Sequence, residues 1–203
     1  MTTSTTAAAT HGAPLVRLSL LQRIVRNPLG LGTSIFLLLV LAIAILAPVI
    51  SGFDPAATDT DNLMVGPGGA HILGTDSAGR DILARLFFGA QTTLISAVVV
   101  VVTAVSIGVP TGLIAGYYGG KFDGVASWMA NMLMSLPSII VLLAVSAAFG
   151  PSILISMFVF GILITPSFFR ITRTAVMSVR NELYVDAARV SGLSDLRIIS
   201  KHI

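Results

Sequence analysis

The sequence predicts an all-α integral membrane protein, a polytopic bundle of transmembrane helices, on three observations. Hydrophobic residues make up 55% of the 203-residue chain, whereas charged residues make up only 10%. The mean hydropathy is +0.94, and four stretches are both apolar and long enough to cross a bilayer. Because a soluble domain has about a quarter charged residues, this composition argues against soluble, disordered and nucleic-acid-binding proteins.

The four apolar stretches predict the transmembrane helices directly. A helix needs about 20 apolar residues to cross the roughly 30 Å hydrocarbon core, and these stretches contain no Asp, Glu, Lys, Arg or His. We predict spans at residues 29–50, 92–117, 125–149 and 152–169. Residues 118–124 form the predicted turn between the second and third spans, and Gly150-Pro151 separates the third from the fourth.

Loop charges predict the orientation, because Lys and Arg are retained on the cytoplasmic side. Three arginines precede the first span, and residues 170–203 contain five arginines and one lysine. Residues 51–91 contain two arginines against five aspartates. Both termini and the 118–124 turn are therefore expected in the cytoplasm, and the 51–91 loop outside.

Residues 1–28 are predicted to form a cytoplasmic N-terminal region. The Thr- and Ala-rich start is expected to be a disordered tail. Leu15–Arg26 has apolar residues interspersed with arginines, which predicts an amphipathic helix on anionic membrane lipid. The alternative is that this stretch is only the cytoplasmic start of the first span. That span is expected to be an uncleaved signal-anchor.

The sequence offers no catalytic, cofactor or metal site. The chain has no cysteine, which excludes disulfides and cysteine-ligated metals. His11, His71 and His202 are far apart in the sequence, and the only Gly-Lys pair, Gly120-Lys121, lacks the rest of a phosphate-binding loop. Proton-coupled transporters and intramembrane enzymes normally need ionisable residues at membrane depth. The predicted spans contain no such residue.

Glycines recur at intervals of four in the second span. Gly108, Gly112, Gly116 and Gly120 are expected on one helix face, where they allow another backbone to approach closely. Pro110 is expected to kink this helix. The stripe is either a packing seam beside a translocation path or ordinary packing of a membrane bundle.

An ordered external element is predicted just before the second span. Gly74 and Gly79 permit turns, Asp76 is expected to cap a short helix, and Arg80 with Asp81 is expected to form local ion pairs. The helical spacing that predicts the short helix is that of Ile82, Leu83, Leu86 and Phe87. This pattern favours a structural element over a catalytic site.

The segment 170–203 predicts a helix that stops at Gly192, followed by a second helix capped near Ser194. Its expected apolar face consists of Val185, Ala188, Leu196 and Ile199. The small Ala187 and Ala188 would let the first helix enter a groove of another protein. The segment is either a docking element for a cytoplasmic partner or an amphipathic loop on the membrane.

Two segments resemble a known family. Asp186-Ala187-Ala188, followed after three residues by Gly192, resembles the "EAA" loop of type I ABC importer permeases, with Asp186 replacing the usual Glu. The external segment resembles that of the dipeptide/oligopeptide/nickel permease subfamily, through Leu73-Gly74-Thr75-Asp76, Gly79-Arg80-Asp81, Arg85 and Gly89-Ala90. Residues 108–112, 115–120 and 136–138 fit the subfamily too, so the resemblance covers about Leu15 to the end.

The resemblance implies the fold and the partners. The fold would be that of a type I ABC importer permease with four of the usual six spans, so the chain would be C-terminally truncated or incompletely represented. It would be the permease subunit of an importer of di- or oligopeptides in the bacterial cytoplasmic (inner) membrane. Its partners would be a second homologous permease, two ABC ATPase subunits that bind the ATP, and an extracytoplasmic substrate-binding protein.

The resemblance also implies residue roles. Coupling to the ATPase through the 182–199 loop would involve Tyr184, Asp186, Ala187, Ala188, Gly192 and Leu196. The external loop or outer gate would involve Gly74, Thr75, Asp76, Gly79, Arg80, Asp81 and Arg85. Two alternatives stay open: a non-transporting membrane scaffold or defective permease fragment, and, for a transporter, nickel or glutathione as substrate.

Overall fold

The computed structural model describes residues 25–201. Seven helices begin and end within this range: α1 (Pro28–Ile50), α2 (Ile82–Tyr118), α3 (Gly120–Ser135), α4 (Ser138–Phe149), α5 (Ile153–Val179), α6 (Leu183–Val190) and α7 (Asp195–Lys201). Helices α1, α2 and α5 are each long and apolar enough to cross a membrane. Helices α3 and α4 form a fourth candidate span, bent by 81° at its break. The predicted all-α membrane bundle is confirmed.

The N-terminal helix begins where the sequence provides a cap. Asn27 Oδ1 accepts hydrogen bonds from the backbone N–H groups of Leu29 and Gly30 at 3.0 and 3.4 Å, and Pro28 occupies the first helical position. Most of the predicted amphipathic helix Leu15–Arg26 lies outside the described residues.

Helices α2 and α5 form the centre of the bundle through their glycines. A β-carbon on Gly108 would lie 2.8 Å from the Thr165 carbonyl oxygen, and one on Gly112 would lie 2.7 Å from that of Phe169. One on Gly116 would lie 2.8 Å from the carbonyl oxygen of Arg173 on α5. Since no side chain fits at these distances, the two backbones are in direct contact, and the predicted packing stripe is confirmed at these three glycines.

Gly120 does not belong to this stripe, and its predicted packing role is wrong. Gly119 and Gly120 have φ values of +65° and +64°, a left-handed conformation that ends α2 at Tyr118. No atom lies within 4 Å of the position of a Gly120 β-carbon. Helix α2 is continuous through Pro110. Next to this proline, the Thr111 hydroxyl donates a hydrogen bond to the Ile107 carbonyl at 2.6 Å.

Three helix boundaries differ from the predicted spans. Helix α2 begins at Ile82, so the predicted short external helix is its first turns. The third span breaks at Pro137, because proline lacks an N–H and Leu136 before it is extended, with φ −82° and ψ 126°. Helix α5 continues to Val179, because charged residues end an apolar span without ending a helix.

The bundle therefore has two polar ends. The Asp81 end consists of the segment 51–81 and the start of α2. The Tyr117 end consists of the last turns of α2 and α5 together with α6 and α7. A buried cluster joins the parts of the Tyr117 end, and its members are Tyr117, Val176, Val185, Ala188 and Ile198.

Candidate functional site

Helices α6 and α7 form where the sequence predicts a helix, a glycine stop and a second helix. Gly192 has a φ of +76°, and the backbone N–H of Leu193 donates back to the Ala188 carbonyl at 3.2 Å. This bond closes α6 in the manner of a Schellman motif. The Ser194 carbonyl accepts from Arg197 and Ile198 at 2.9 and 3.0 Å and opens α7.

One face of this helix pair is buried against the Tyr117 end. Val185 and Ile198 are 0% exposed, and Ala188 is 6% exposed. Leu196, predicted for this face, is instead 80% exposed, because α7 turns the side chain two residues later, Ile198, toward Tyr117. The prediction that Ala188 enters a groove of another protein is also wrong, because Ala188 is buried against its own chain.

Tyr117 holds α6 and α7 against the end of α2. Its hydroxyl donates to Asp195 Oδ1 at 2.8 Å, and the Tyr118 hydroxyl donates to the other oxygen of the same carboxylate at 3.3 Å. The Arg189 guanidinium lies 5.3 Å from the centre of the Tyr117 ring, within the range of a cation–π contact. Arg189 also donates to Asp186 Oδ1 at 3.2 Å.

Arg180 connects the ends of α5 and α2. Its Nη1 donates to the carbonyl oxygens of Gly116 and Tyr117 at 3.0 and 3.5 Å, so the cation satisfies carbonyls in the last turn of α2. Sequence reasoning did not assign Arg180, Tyr117 or Asp195 to the site. The available signal was the Tyr117-Tyr118 pair next to the glycines that end α2.

The opposite face of α6 is bare. Leu183, Ala187 and Val190 follow one another at intervals of four and three, so they share a helix face, and all three are exposed, Val190 to 89%. Leu196 adds an exposed apolar side chain from α7. We call these four residues the outer face. Tyr184, Asp186 and Gly192, also predicted for coupling, are exposed as well.

At the Asp81 end, the predicted residues hold the segment 51–81 together. The Thr75 hydroxyl accepts from the Val65 N–H at 2.9 Å and donates to the Asn62 carbonyl at 2.5 Å. A β-carbon on Gly74 would lie 2.3 Å from the Val65 carbonyl oxygen, and one on Gly79 would lie 1.8 Å from that of Asp59. Both glycines have positive φ, so no other residue fits there without a shift of the backbone.

The two aspartates have roles different from those predicted. Asp81, and not Asp76, caps the helix: it accepts from the Ala84 N–H at 2.7 Å and contacts His71 Nδ1 at 2.9 Å, because it directly precedes the first turn of α2. Asp76 accepts from the Arg80 N–H at 3.0 Å and pairs with the side chains of Arg80 and Arg85. The predicted pairing of Arg80 with Asp81 is therefore wrong.

These contacts lower the pKa of both carboxyl groups. The Arg80 N–H is the largest influence on Asp76 and lowers the pKa of its carboxyl below the usual range. Burial opposes ionisation of Asp81, which is 5% exposed. The hydrogen bonds from Ala84 and His71 outweigh that burial, and the pKa of Asp81 is also lowered.

A second polar contact region joins α3 to α5. Arg173 makes a bidentate ion pair with Asp123, at 2.5 Å from Nε and 2.7 Å from Nη2. One turn earlier, Arg170 Nη2 donates to Asn131 Oδ1 at 2.6 Å. Both arginines lie in the segment 170–203, for which the sequence predicted a cytoplasmic loop, and the sequence predicted no role for their partners Asp123 and Asn131.

Comparison with known proteins gives two family matches and a set of relatives. The model of binding-protein-dependent transport system inner membrane components matches residues 108–203. The model of the N-terminal transmembrane domain of oligopeptide transport permease C matches residues 19–67.

The relatives are permease proteins. The dipeptide transport system permease protein DppC of Haemophilus influenzae is 34% identical over 81% of this chain and 58% of its own length. The probable D,D-dipeptide transport system permease protein DdpC of Escherichia coli is 33% identical over 87% and 59%. The glutathione transport system permease protein GsiD of Pectobacterium atrosepticum is 32% identical over 90% and 61%. The chain thus spans about three fifths of the length of these relatives.

Proposed function

The chain belongs to the family of binding-protein-dependent transport system inner membrane components, as its motifs predicted, and we propose that it is a permease subunit of an ATP-driven importer of di- or oligopeptides. The names of the dipeptide permease relatives support the substrate class. Glutathione is the second candidate substrate, because one relative is named a glutathione permease.

The observation that carries this proposal is the two-sided α6. Its inner face, Val185 and Ala188, is buried against the Tyr117 end, whereas Leu183 and Val190 on the outer face are exposed. Residues 170–203 are predicted to be cytoplasmic, where exposed apolar side chains need a partner. We assign the outer face to a groove of an ABC ATPase subunit, with one ATPase for this chain and one for a second homologous permease.

The coupling mechanism follows from the contacts at the Tyr117 end. ATP closes the two ATPase subunits, and this motion displaces α6 and α7. Tyr117 and Arg180 pass the displacement to α2 and α5. Because the glycine stripe holds those two helices in backbone contact, they move as a unit and open the translocation path to one side of the membrane at a time. ATP is hydrolysed by the partners, and this chain supplies no catalytic residue.

The Asp81 end is assigned to the extracytoplasmic substrate-binding protein. Thr75 and Asp81 are buried there and fix the shape of the segment, so they are not the contacting groups. Met64 and Ile72 are the most exposed large apolar side chains of residues 51–81, and a binding protein would meet them first.

Cysteine cross-linking tests the proposed function. Because the chain has no cysteine of its own, single cysteines at Val190 and at Val185 form a matched pair on opposite faces of α6. We expect Val190→Cys to form a disulfide with cysteines in the groove of a co-assembled ABC ATPase, in a nucleotide-dependent way, and Val185→Cys not to. ATP-driven uptake of labelled dialanine into proteoliposomes tests the substrate class. An inserted protein that shows neither a cross-link nor uptake would favour the membrane scaffold.

A further inference from the structure

Two arginines on α5 are matched by different partners, although they lie within one turn. Arg173 meets the carboxylate of Asp123 with two hydrogen bonds, so both charges are compensated. Arg170 meets the amide of Asn131. An amide oxygen orients a guanidinium without neutralising its charge.

Arg170 therefore keeps its positive charge and most of its hydrogen-bonding capacity. None of the ion pairs among residues 25–201 involves Arg170. A guanidinium has five N–H donors, and the bond to Asn131 uses one of them. If Arg170 only joined α5 to α3, an aspartate at position 131 would serve better, as Asp123 does for Arg173.

Arg170 is an exposed residue, and it lines a cleft between α3 and α5. The cleft has a volume of about 380 Å³, and its lining residues are Ser127, Asn131, Phe169, Arg170, Arg173 and Thr174. This volume lies within the range of small-molecule sites. The lining combines two cations, an amide, two hydroxyl groups and one aromatic ring, and none of these lining residues is acidic. Asp123, which contacts Arg173, is already paired with it.

We propose that Arg170, oriented by Asn131, binds a carboxylate, and that this carboxylate is the free C-terminus of the peptide being transported. A guanidinium fork matches the geometry of a carboxylate. The terminal carboxylate is the group that linear peptides share whatever their side chains, so a site that reads it accepts peptides of varied sequence. The identity of the ligand rests on the proposed function, whereas the anion site itself rests on the geometry.

The position of Arg170 connects this site to the moving part of the molecule. The carbonyl of the preceding residue, Phe169, is the atom that a β-carbon on Gly112 would approach to 2.7 Å. Arg170 therefore lies on the turn of α5 that is fixed to α2, about 14 Å of helix before the end of α5 at 1.5 Å per residue. A peptide bound here would contact the helix pair that the coupling loop displaces.

A direct binding measurement tests the site without transport. The chain has one tryptophan, Trp128, which adjoins Ser127 in the lining and serves as a fluorescent reporter. The full-length protein in phosphatidylcholine nanodiscs is titrated with dialanine and with dialanine amide, which lacks the carboxylate. We expect dialanine to bind at least tenfold more tightly than the amide. Arg170→Gln should abolish this preference, and Arg170→Lys should keep part of it.

Asn131→Asp is the decisive variant. It keeps the side-chain shape and the contact to Arg170 but supplies a resident carboxylate, so it should remove the preference for dialanine while strengthening the link between α3 and α5. Asn131→Asp that still prefers dialanine, or a wild type that binds the two peptides equally, would overturn the proposal. Loss of dialanine binding when phosphatidylglycerol is added would identify a lipid phosphate as the ligand and would also overturn it.

Uptake measurements separate this proposal from the proposed function. The assembled transporter in proteoliposomes should take up dialanine at least tenfold more slowly with Arg170→Gln, while its uptake of the amide stays unchanged. Equal loss for both peptides would indicate a purely structural role and would overturn the site. A wild type that binds dialanine but shows no ATP-driven uptake would overturn the proposed function and leave the anion site standing.

Discussion

The Asp81 end and the Tyr117 end lie at opposite ends of α2, but they use their polar and apolar groups differently. In the segment 51–81, the motif residues Thr75, Asp76 and Asp81 find partners within the segment or in the first turns of α2. At the Tyr117 end, α6 buries one face and leaves Leu183 and Val190 bare. The motif residues of the first region are paired within it, whereas the motif helix of the second leaves an apolar face without a partner among the described residues. A motif can therefore mark either a fold requirement or an interaction.

The largest expected effect is the loss of folding when the Asp81 end is disrupted. A methyl group on Gly79 would lie 1.8 Å from the Asp59 carbonyl oxygen, at a φ of +74°, so Gly79→Ala should leave little folded protein. The matched control is Gly192→Ala, at a φ of +76° with no atom within 4 Å, where only the left-handed conformation costs energy, about 1–2 kcal/mol. The yield of monodisperse protein in size-exclusion chromatography compares them. Equal yields would contradict the importance of the close approach.

The next effect separates the two faces of α6. Val185→Asp places an unpaired charge among buried residues and should cost about 3 kcal/mol or more, which detaches α6 and α7. Leu183→Asp, on the outer face, should leave the protein folded but reduce co-purification of the ATPase at least tenfold. Thermal unfolding and co-purification, measured on both variants, check this. The distinction between the faces fails if Leu183→Asp is the less stable variant.

A smaller effect concerns the attachment at Tyr117. Tyr117→Phe removes the hydroxyl that donates to Asp195 at 2.8 Å, which should weaken docking of α6 and α7 by about 1 kcal/mol. Hydrogen exchange of residues 183–201 should then be about fivefold faster. Tyr118→Phe is the control, because its bond to the same carboxylate is 3.3 Å and exposed. A larger effect of Tyr118→Phe would shift the attachment point to that residue.

The smallest expected effect is the loss of stability that protonation of Asp81 causes at acidic pH. The folded protein lowers the pKa of Asp81, so this carboxylate stabilises the fold above its unfolded pKa of about 3.9. That stabilisation is lost as the pH falls through the lower, folded value. The melting temperature of the wild type should decrease as the pH is lowered below about 4. Asp81→Asn should make the melting temperature less dependent on pH in this range. A variant with the same acid profile as the wild type would exclude Asp81 as its source.

Much of the fold could be predicted because the signals are local along the chain. The apolar stretches predicted the membrane bundle, and the spacing of Gly108, Gly112 and Gly116 predicted the contact face of α2. Gly192 predicted the break between α6 and α7. Helix ends were less accurate, because the predicted span ends at residue 169, before Arg170, whereas the hydrogen bonding of α5 continues to Val179.

The contacts that make the sites could not be predicted in this way. Tyr117 and Asp195 are 78 residues apart, Asp123 and Arg173 are 50 apart, and Asn131 and Arg170 are 39 apart. Such pairs depend on which helix faces meet and at what height. A single sequence contains the residues but not their relative positions.

The sequence alone determined that this chain is a membrane bundle with a family motif at each polar end, because hydropathy and glycine spacing act along one helix at a time. It did not determine which face of α6 is free. Both faces carry small or apolar residues, Val185 and Ala188 on one and Ala187 and Val190 on the other. Only the packing of the first pair against Tyr117 decided that the second pair is exposed, because burial depends on what the rest of the chain places opposite each face.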